Sequence, residues 1–438
     1  MVTPNKFEDF LNKVTSRVRS KEAHSMIRKE LNHHLQELSK TYQNDGLTGE
    51  DMEEKVLKEM GNPYALGDNL NRIHKPKMDW LLIVMFVIIA GIGFLPLINE
   101  IPGFPGAGTH FIHNKIIGNI LAILVVIGIL FFDYRKLNRY SFGFYGLAIL
   151  LHLYTAFFGY NVNGTQRWIS VFGIFSDVTI ITLCLFFLAW AGLLRNINKY
   201  DHWIKQLALV FLFWVPIIIY MVVPSMMSAL IYFICILTMF AFSSVQKQLA
   251  LKMFLWNVIG GVLLLVTVVL PLFRNVFHSR LAYFLSPESD PDGGYIYIAL
   301  KDVLSNAGWF GNGFESQLMT LPATHTDLVF PYLIYTLGWA FGIALCILLL
   351  MFIFRISANA FKTKDLFGRL IVIGGAALFI VPTLWNILMG LGIIPIVGVP
   401  IPIISYGTSY LVIYSIVLGL VLNVYRRKDI IEPTIVVK

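Results

Sequence analysis

Charge is scarce in this 438-residue chain: Asp, Glu, Lys and Arg together make up 14% of it, against 57% hydrophobic side chains. A water-soluble protein of ordinary composition carries about a quarter charged residues, so that class is excluded and a bilayer is the natural solvent. Cysteine is nearly absent as well. Cys184, Cys235 and Cys346 all fall inside apolar runs with no pairable spacing, which excludes a disulfide framework and a metal knuckle and leaves them as small packing residues. No GxxxxGK[ST] occurs, nor a GxGxxG after a strand, so nucleotide-driven work has no support and no nucleotide is expected as cofactor. The chain opens on MVTPNKFEDF and stays charged up to Lys77, so no cleavable signal peptide is expected and the first membrane helix does the targeting.

What charge there is lies unevenly. Residues 1–78 hold 13 basic and 12 acidic side chains, leaving 21 and 14 for the other 360. The pattern predicts a small soluble head, 1–76, then a membrane domain, 79–427, and a short tail, 428–438. The basic surplus of the membrane domain is scattered between apolar segments instead of lining one stripe, so nucleic acid is not an expected partner.

In the head, Phe7, Phe10, Leu11 and Val14 recur at helical steps, as do Ile27, Leu31, Leu35 and Leu38. Thr48 with Asp51 is a variant capping box for a third helix ending near Gly61, before Asn62 and Pro63. The expectation is a three-helix bundle. His33 and His34 are neighbours on a helix, point about 100° apart and have no completing ligands, so they read as solvated surface.

Spans of about 20 apolar residues are expected near 80–98, 115–132, 141–159, 178–194, 206–223, 226–243, 253–273, 328–354, 368–390 and 408–425. The fold class is therefore all-α, a polytopic protein with ten transmembrane helices behind a soluble head. With the head inside, sixteen Lys and Arg fall on the inner segments and five on the outer ones: Lys115, Arg167, Arg274, Arg280 and Lys301. That bias places both termini in the cytoplasm and the loops 160–177 and 274–327 outside. The stretch 392–410, GIIPIVGVPIPIISYGTSY, cannot be one straight helix, because Pro395, Pro400 and Pro402 each remove a backbone donor. At membrane depth such backbone survives only inside protein or beside a water-filled cavity.

Three stretches carry a resemblance. GLGIIPIVGVPIPIISYGTSYLVIYSIVLGLVLNV resembles the GxxPxxGxPxPxxSYGxS signature of the polytopic peptidoglycan polymerases of the shape, elongation, division and sporulation group, FtsW/RodA/SpoVE. THTDLVF is similar to that family's His-Thr-Asp before an apolar helix, and NGTQRWISVFGIF places Arg167 and Trp168 in register. The likeness spans about residues 80–427, and the head resembles the small helical prefix found ahead of several bacterial permease-like proteins. Departures are Phe175, Ser176 and Asp177 in place of Gln-Pro-Ser-Glu, Pro224-Ser225 for Pro-Asp, Tyr335 and Thr336 where two glutamates are common, and Gly294-Tyr295-Ile296 for Gly-Tyr-Gln.

The resemblance implies a bacterial plasma-membrane enzyme that polymerises lipid II, the undecaprenyl-diphosphate-linked disaccharide-peptide, for cell shape, division or sporulation. A sugar hydroxyl attacks an anomeric carbon whose leaving group is a diphosphate, so a positioned carboxylate serves as base and one inverting step suffices. Asp327 matches the family's essential carboxylate. On position alone it could equally be the N-cap of the helix starting at Leu328. Arg167, Arg280 and Lys301 are candidates for the diphosphate, where a divalent cation, Mg or Mn, is the candidate cofactor and no metal ligand is assigned. The three cations could instead meet lipid headgroups. His325 could orient Asp327 or be an interfacial histidine without a role, and the acidic run 287–294 reads as a solvated turn. Pro400, Pro402, Ser405, Tyr406, Gly407 and Ser409 read as packing and backbone-satisfying groups around the broken helix. Besides lipid II and membrane lipids, the expected partner is a class B penicillin-binding protein. A non-catalytic scaffold for cell-wall synthases and a flippase for the lipid-linked precursor remain as other readings, and both would survive Asp327→Asn.

Overall fold

The computed structural model describes residues 6–98, 108–162, 164–171, 173–200, 202–243, 247–272, 274–314 and 321–430. The expected tail beyond Ile430 lies outside them. The chain sorts into two units, the first made of Met1–Asp79, Lys362–Asp365 and Val424–Lys438, the second of Trp80–Phe361 and Leu366–Asn423.

The first unit holds α1 (Lys6–Arg17), α2 (His24–Asn44), α3 (Glu50–Met60) and α4 (Pro63–Ile73). Their apolar stripes meet at Val14, Ile27, Leu35 and Val56, all fully buried, with Ile430 in the same core. Arg427 joins this unit through a two-pronged pair with Glu22, Nε to Oε2 at 2.7 Å and Nη2 to Oε1 at 2.9 Å. The bundle has four helices where three were expected. Pro63 is not a stop but the first residue of α4, where its missing N–H costs nothing, and Asn62 caps the helix by accepting from the Tyr64 amide at 2.9 Å. The Thr48–Asp51 capping box does not form. Gly49 occupies the cap of α3 without a side-chain bond, and Glu50, Asp51 and Glu53 face the positive end of the helix dipole instead. His33 and His34 are exposed and lie within reach of Glu37.

In the second unit the ordered elements are α5 (Trp80–Ile92), α6 (Gly108–Phe131), α7 (Ser141–Phe158), β1 (Tyr160–Val162), β2 (Thr165–Val171), β3 (Ile174–Asp177) and α8 (Val178–Arg195). They continue as α9 (Trp203–Val222), α10 (Met226–Phe242), α11 (Lys247–Leu264), α12 (Leu270–Leu272), α13 (Arg274–Leu285), α14 (Pro291–Ser305), α15 (Val329–Phe361), α16 (Leu366–Gly390) and α17 (Thr408–Arg427). Among the described residues nine helices are long and apolar enough to span a bilayer, and the 17-residue α10 is a tenth apolar helix. Burial separates interior from periphery: 83% of the apolar window of α8 and 67% of those of α16 and α17 are buried, against 22% for α6 and 17% for Leu251–Val269. The interior helices thus form the frame and the others are left for lipid.

The chain is mostly helical but not all-α. Residues 160–177 form a three-stranded antiparallel sheet in the order β1-β2-β3, with Val162 opposite Thr165 and Trp168 opposite Asp177. The tight first turn includes Gly164 at φ +76°, the position a two-residue hairpin turn fills with glycine.

α15 is broken. Gly338, at φ +88° and ψ 168°, interrupts it, which frees two carbonyls and two amides of one turn. The segment 308–313 takes up all four: Asn312 N donates to Tyr335 O at 2.9 Å, Gly313 N to Thr336 O at 3.0 Å, Trp339 N to Gly308 O at 3.0 Å and Ala340 N to Trp309 O at 3.2 Å. The short buried helix that starts just after Asp327 is thereby held at a fixed angle to the rest of α15. As the prolines require, residues 391–407 are not helical.

Candidate active site

Asp327 ends the loop 321–328, at the start of α15, and is half-buried. Three successive carbonyls of that loop are held from outside it. Tyr406 N donates to His325 O at 2.8 Å, Ser405 Oγ to Thr326 O at 2.7 Å, and Asn386 Nδ2 to Asp327 O at 2.7 Å. Each donor is fixed in turn: Ser405 Oγ accepts from Ile401 N at 2.8 Å, and Asn386, fully buried in α16, also donates to Val399 O at 2.5 Å. The carboxylate itself passes over Gly398, where a Cβ would stand 3.1 Å from Oδ2. A side chain at 398 would crowd the acid, which gives the signature's glycine a physical reason.

Arg167 is the cation whose charge acts on Asp327, opposing the rise that burial imposes. It comes from β2, its Nε lies 3.3 Å from Asp177 Oδ2, and its side chain is 26% exposed. Asp177 is fully buried and has every oxygen occupied. Oδ1 caps α8, accepting from Thr179 N at 2.9 Å and Thr179 Oγ1 at 2.7 Å, while Oδ2 also accepts from Tyr410 OH at 3.1 Å. Nη1 of Arg167 donates to Ser225 Oγ at 3.5 Å. Trp168 stacks on Phe175 with ring centres 5.6 Å apart and lies 5.8 Å from the Arg167 guanidinium, which fixes the base of the arginine.

The electrostatics follow from this geometry. Burial raises Asp327 from 3.8 to about 6, and the Arg167 charge limits the rise. A carboxylate with that value is ionised at neutral pH yet more basic than an ordinary aspartate, the property wanted of a general base. His325 is pulled below its ordinary range by burial, and its ring packs with Phe111 at 5.3 Å and Tyr406 at 5.9 Å.

Asp327, Arg167, Trp168, His325, Ser405 and Tyr406 are thus brought together. Arg280 and Lys301 are not: they stand exposed on α13 and α14, and neither makes an ion pair among the described residues. Pro400 and Pro402 lie in the non-helical segment, Gly407 takes φ +146° at its end, and Ser409 is buried in the first turn of α17. Asp290 of the acidic run caps α14 by accepting from Gly293 N at 3.2 Å. Sequence reasoning assigns no site role to Asp177, Asn386, Tyr410, Ser225 or Lys115, though Asp177 and Ser225 stand in it as departures from the family pattern and Lys115 as an outer cation. Asp177 stood in it as the residue replacing a family glutamate, and Asn386 as an amide within an apolar run. Among the described residues no three His, Cys, Asp or Glu cluster to hold a metal.

Comparison with known proteins bears on this arrangement. Residues 79–430 match the model of the cell cycle protein family FtsW/RodA/SpoVE. Peptidoglycan glycosyltransferase MrdB of Escherichia coli (strain K12) is 28% identical over 303 residues, 66% of this chain and 79% of that protein. Probable peptidoglycan glycosyltransferase FtsW of Nitrosomonas europaea is 26% identical over 373 residues, covering 81% and 94%. Among solved structures, a chain from work on the structural coordination of polymerization and crosslinking by a peptidoglycan synthase complex aligns with TM-score 0.67 at 23% identity, covering 80% of this chain and 98% of that one. The rod shape determining protein RodA of Thermus thermophilus aligns with TM-score 0.58 at 20% identity, covering 80% and 97%. The structures establish the common fold. The signature turn and the loop it holds both lie inside the residues matched, and on the family match this chain belongs to the FtsW/RodA/SpoVE family of multi-pass bacterial membrane proteins.

Proposed function

We propose that this chain is a peptidoglycan glycosyltransferase that polymerises lipid II at the outer face of the plasma membrane, with Asp327 as its base. The observation that carries this reading is the half-buried Asp327 carboxylate, raised to about 6 within the field of Arg167, on a loop whose carbonyls at 325, 326 and 327 are all held. In the reaction a sugar hydroxyl of one chain attacks the anomeric carbon of the next. Its proton passes to Asp327, the new C–O bond forms, and the bond to the diphosphate breaks with inversion. Pre-set geometry supplies the rate, since a base fixed within reach replaces a diffusing one.

Arg167 stabilises the leaving diphosphate with the edge that Asp177 does not occupy. Arg280 and Lys301, exposed on neighbouring helices, meet the lipid-linked substrate or its headgroup region earlier in its approach. A magnesium or manganese ion would be carried largely by phosphate oxygens and would neutralise diphosphate charge.

The distribution of Lys and Arg supports both termini in the cytoplasm, which sets the sheet and the Asp327 loop toward the outer side. The kinship with a chain from a peptidoglycan synthase complex supports a class B penicillin-binding protein as partner for crosslinking. The deciding experiment incubates purified full-length protein with labelled lipid II and Mg or Mn. Wild type is expected to yield glycan chains and Asp327→Asn none, with the variant melting no lower than wild type. Chains of undiminished length from the variant would sink the assignment.

A further inference from the structure

Lys115 has no part in the reaction above, yet all three donors of its ammonium are engaged. It lies in α6 and is 2% exposed. Its ammonium donates to three consecutive carbonyls, Ile403 O at 2.9 Å, Ile404 O at 3.0 Å and Ser405 O at 3.0 Å. An ammonium has three donors and no acceptor, so this set satisfies it fully. Among the described residues it forms no ion pair, and carbonyl dipoles alone balance its charge. Charged groups inside a membrane protein are costly and are kept for a task.

The turn it grips does not hold itself. Ile403, a β-branched residue, sits at φ +73°, a region such side chains avoid. Space for the ammonium is provided by Gly93, where a Cβ would stand 2.9 Å from Nζ and 2.8 Å from Ile404 O. The residues next in line are the ones that hold the Asp327 loop: Ser405 through its hydroxyl to Thr326 O, Tyr406 through its amide to His325 O. We propose that Lys115 is a positioning residue for Asp327, fixing the 403–405 turn so that the turn can fix the loop. The inference rests on Asp327 being the base.

Full-length protein in nanodiscs serves for the test. Lys115→Met keeps the stem and removes the donors, and Gly93→Ala displaces the ammonium by an independent route. Amide hydrogen exchange is expected to quicken at least tenfold over residues 321–328 and 400–407, with α8 and α16 unchanged. With lipid II, kcat is expected to fall at least tenfold while KM stays within twofold. Because both act through one turn, Lys115→Met with Ser405→Ala is expected to be no slower than the slower single variant. Unchanged exchange over 321–328, exchange raised uniformly across the membrane helices, or additive losses would each overturn the proposal. If wild type makes no glycan at all, the proposed reaction fails, and the exchange comparison alone still decides whether Lys115 governs the loop.

Discussion

Ser405 Oγ donates at 2.7 Å to the carbonyl of Thr326, 79 positions earlier in the chain, and accepts from Ile401 N at 2.8 Å. One hydroxyl therefore ties the signature turn to the residue preceding Asp327. Replacing it by alanine leaves a buried donor and a buried acceptor unpaired, at ~1–3 kcal/mol each. Ser405→Ala is expected to lower kcat by roughly tenfold to a hundredfold, through loss of placement of the base. Ser405→Thr retains the oxygen and is expected to recover most of the rate. A Ser405→Ala enzyme with wild-type turnover of lipid II would show that the turn does not set the carboxylate.

Arg167 stands between two acids, ion-paired to Asp177 and lowering the value of Asp327. Arg167→Gln removes the influence that opposes burial, so the acid limb of the rate profile is expected to move above about 6. The same change strands the buried Asp177. Breaking a fully buried pair costs ~3–5 kcal/mol, and about half of that is expected here because Arg167 is 26% exposed. Arg167→Lys retains charge but not the fork and is expected to fall between the two. The pH–rate profile and the melting temperature check the two effects separately.

Asp327 itself gives a signed pH dependence. As a base it works only when ionised, so kcat is expected to rise with pH through about 6. For stability the sign is opposite. The folded-state value lies above the ordinary 3.8, so the contribution of Asp327 to stability is fully present below about 4 and is lost as pH rises through about 6. Asp327→Asn, neutral at every pH, is therefore expected to melt higher than wild type at pH 8 and level with it at pH 4. Equal melting at pH 8 would mean that the carboxylate is not desolvated.

Length and hydropathy make the nine long apolar helices of the described residues, and the shorter α10, legible in the sequence, because a bilayer leaves few ways to place twenty apolar residues. Three prolines likewise announced the broken segment before α17. The pairing of Arg167 with Asp177 was hidden, since it depends on two strands aligning residues ten positions apart. Asn163-Gly164 followed by the alternation of Thr165–Val171 is a hairpin signal, and weighing it would have brought Asp177 back beside Arg167. Hydropathy sets Lys115 at the outer edge of the span 115–132, because it cannot tell a helix end from a helix whose charge is satisfied inside. Asn62-Pro63 reads equally as a helix stop or a helix start, and in the structure the two residues start α4, a choice that only packing of α4 decides.

Gly338 tests whether the break in α15 matters for Asp327. At φ +88° it occupies backbone that other residues avoid, and a Cβ there would stand 2.2 Å from Trp309 O and 2.5 Å from Gly311 N. Both contacts are to backbone, so no side chain can swing aside. Gly338→Ala must either straighten α15, restoring its own helical bonds, or expel the 308–313 segment that replaces them. Either course turns the short helix after Asp327 away from the angle that now sets it. The expected result is a protein that still inserts and is at least ~2 kcal/mol less stable, with kcat down tenfold or more. Ala344 gives the control, because it is exposed and lies in the regular part of α15, beyond the break. Ala344→Gly is expected to cost about 1 kcal/mol of helix stability and to change kcat by less than twofold. Melting and lipid II turnover, measured on the two variants side by side, check both, and wild-type turnover in Gly338→Ala would mean that the 308–313 brace is structural trim without influence on the base.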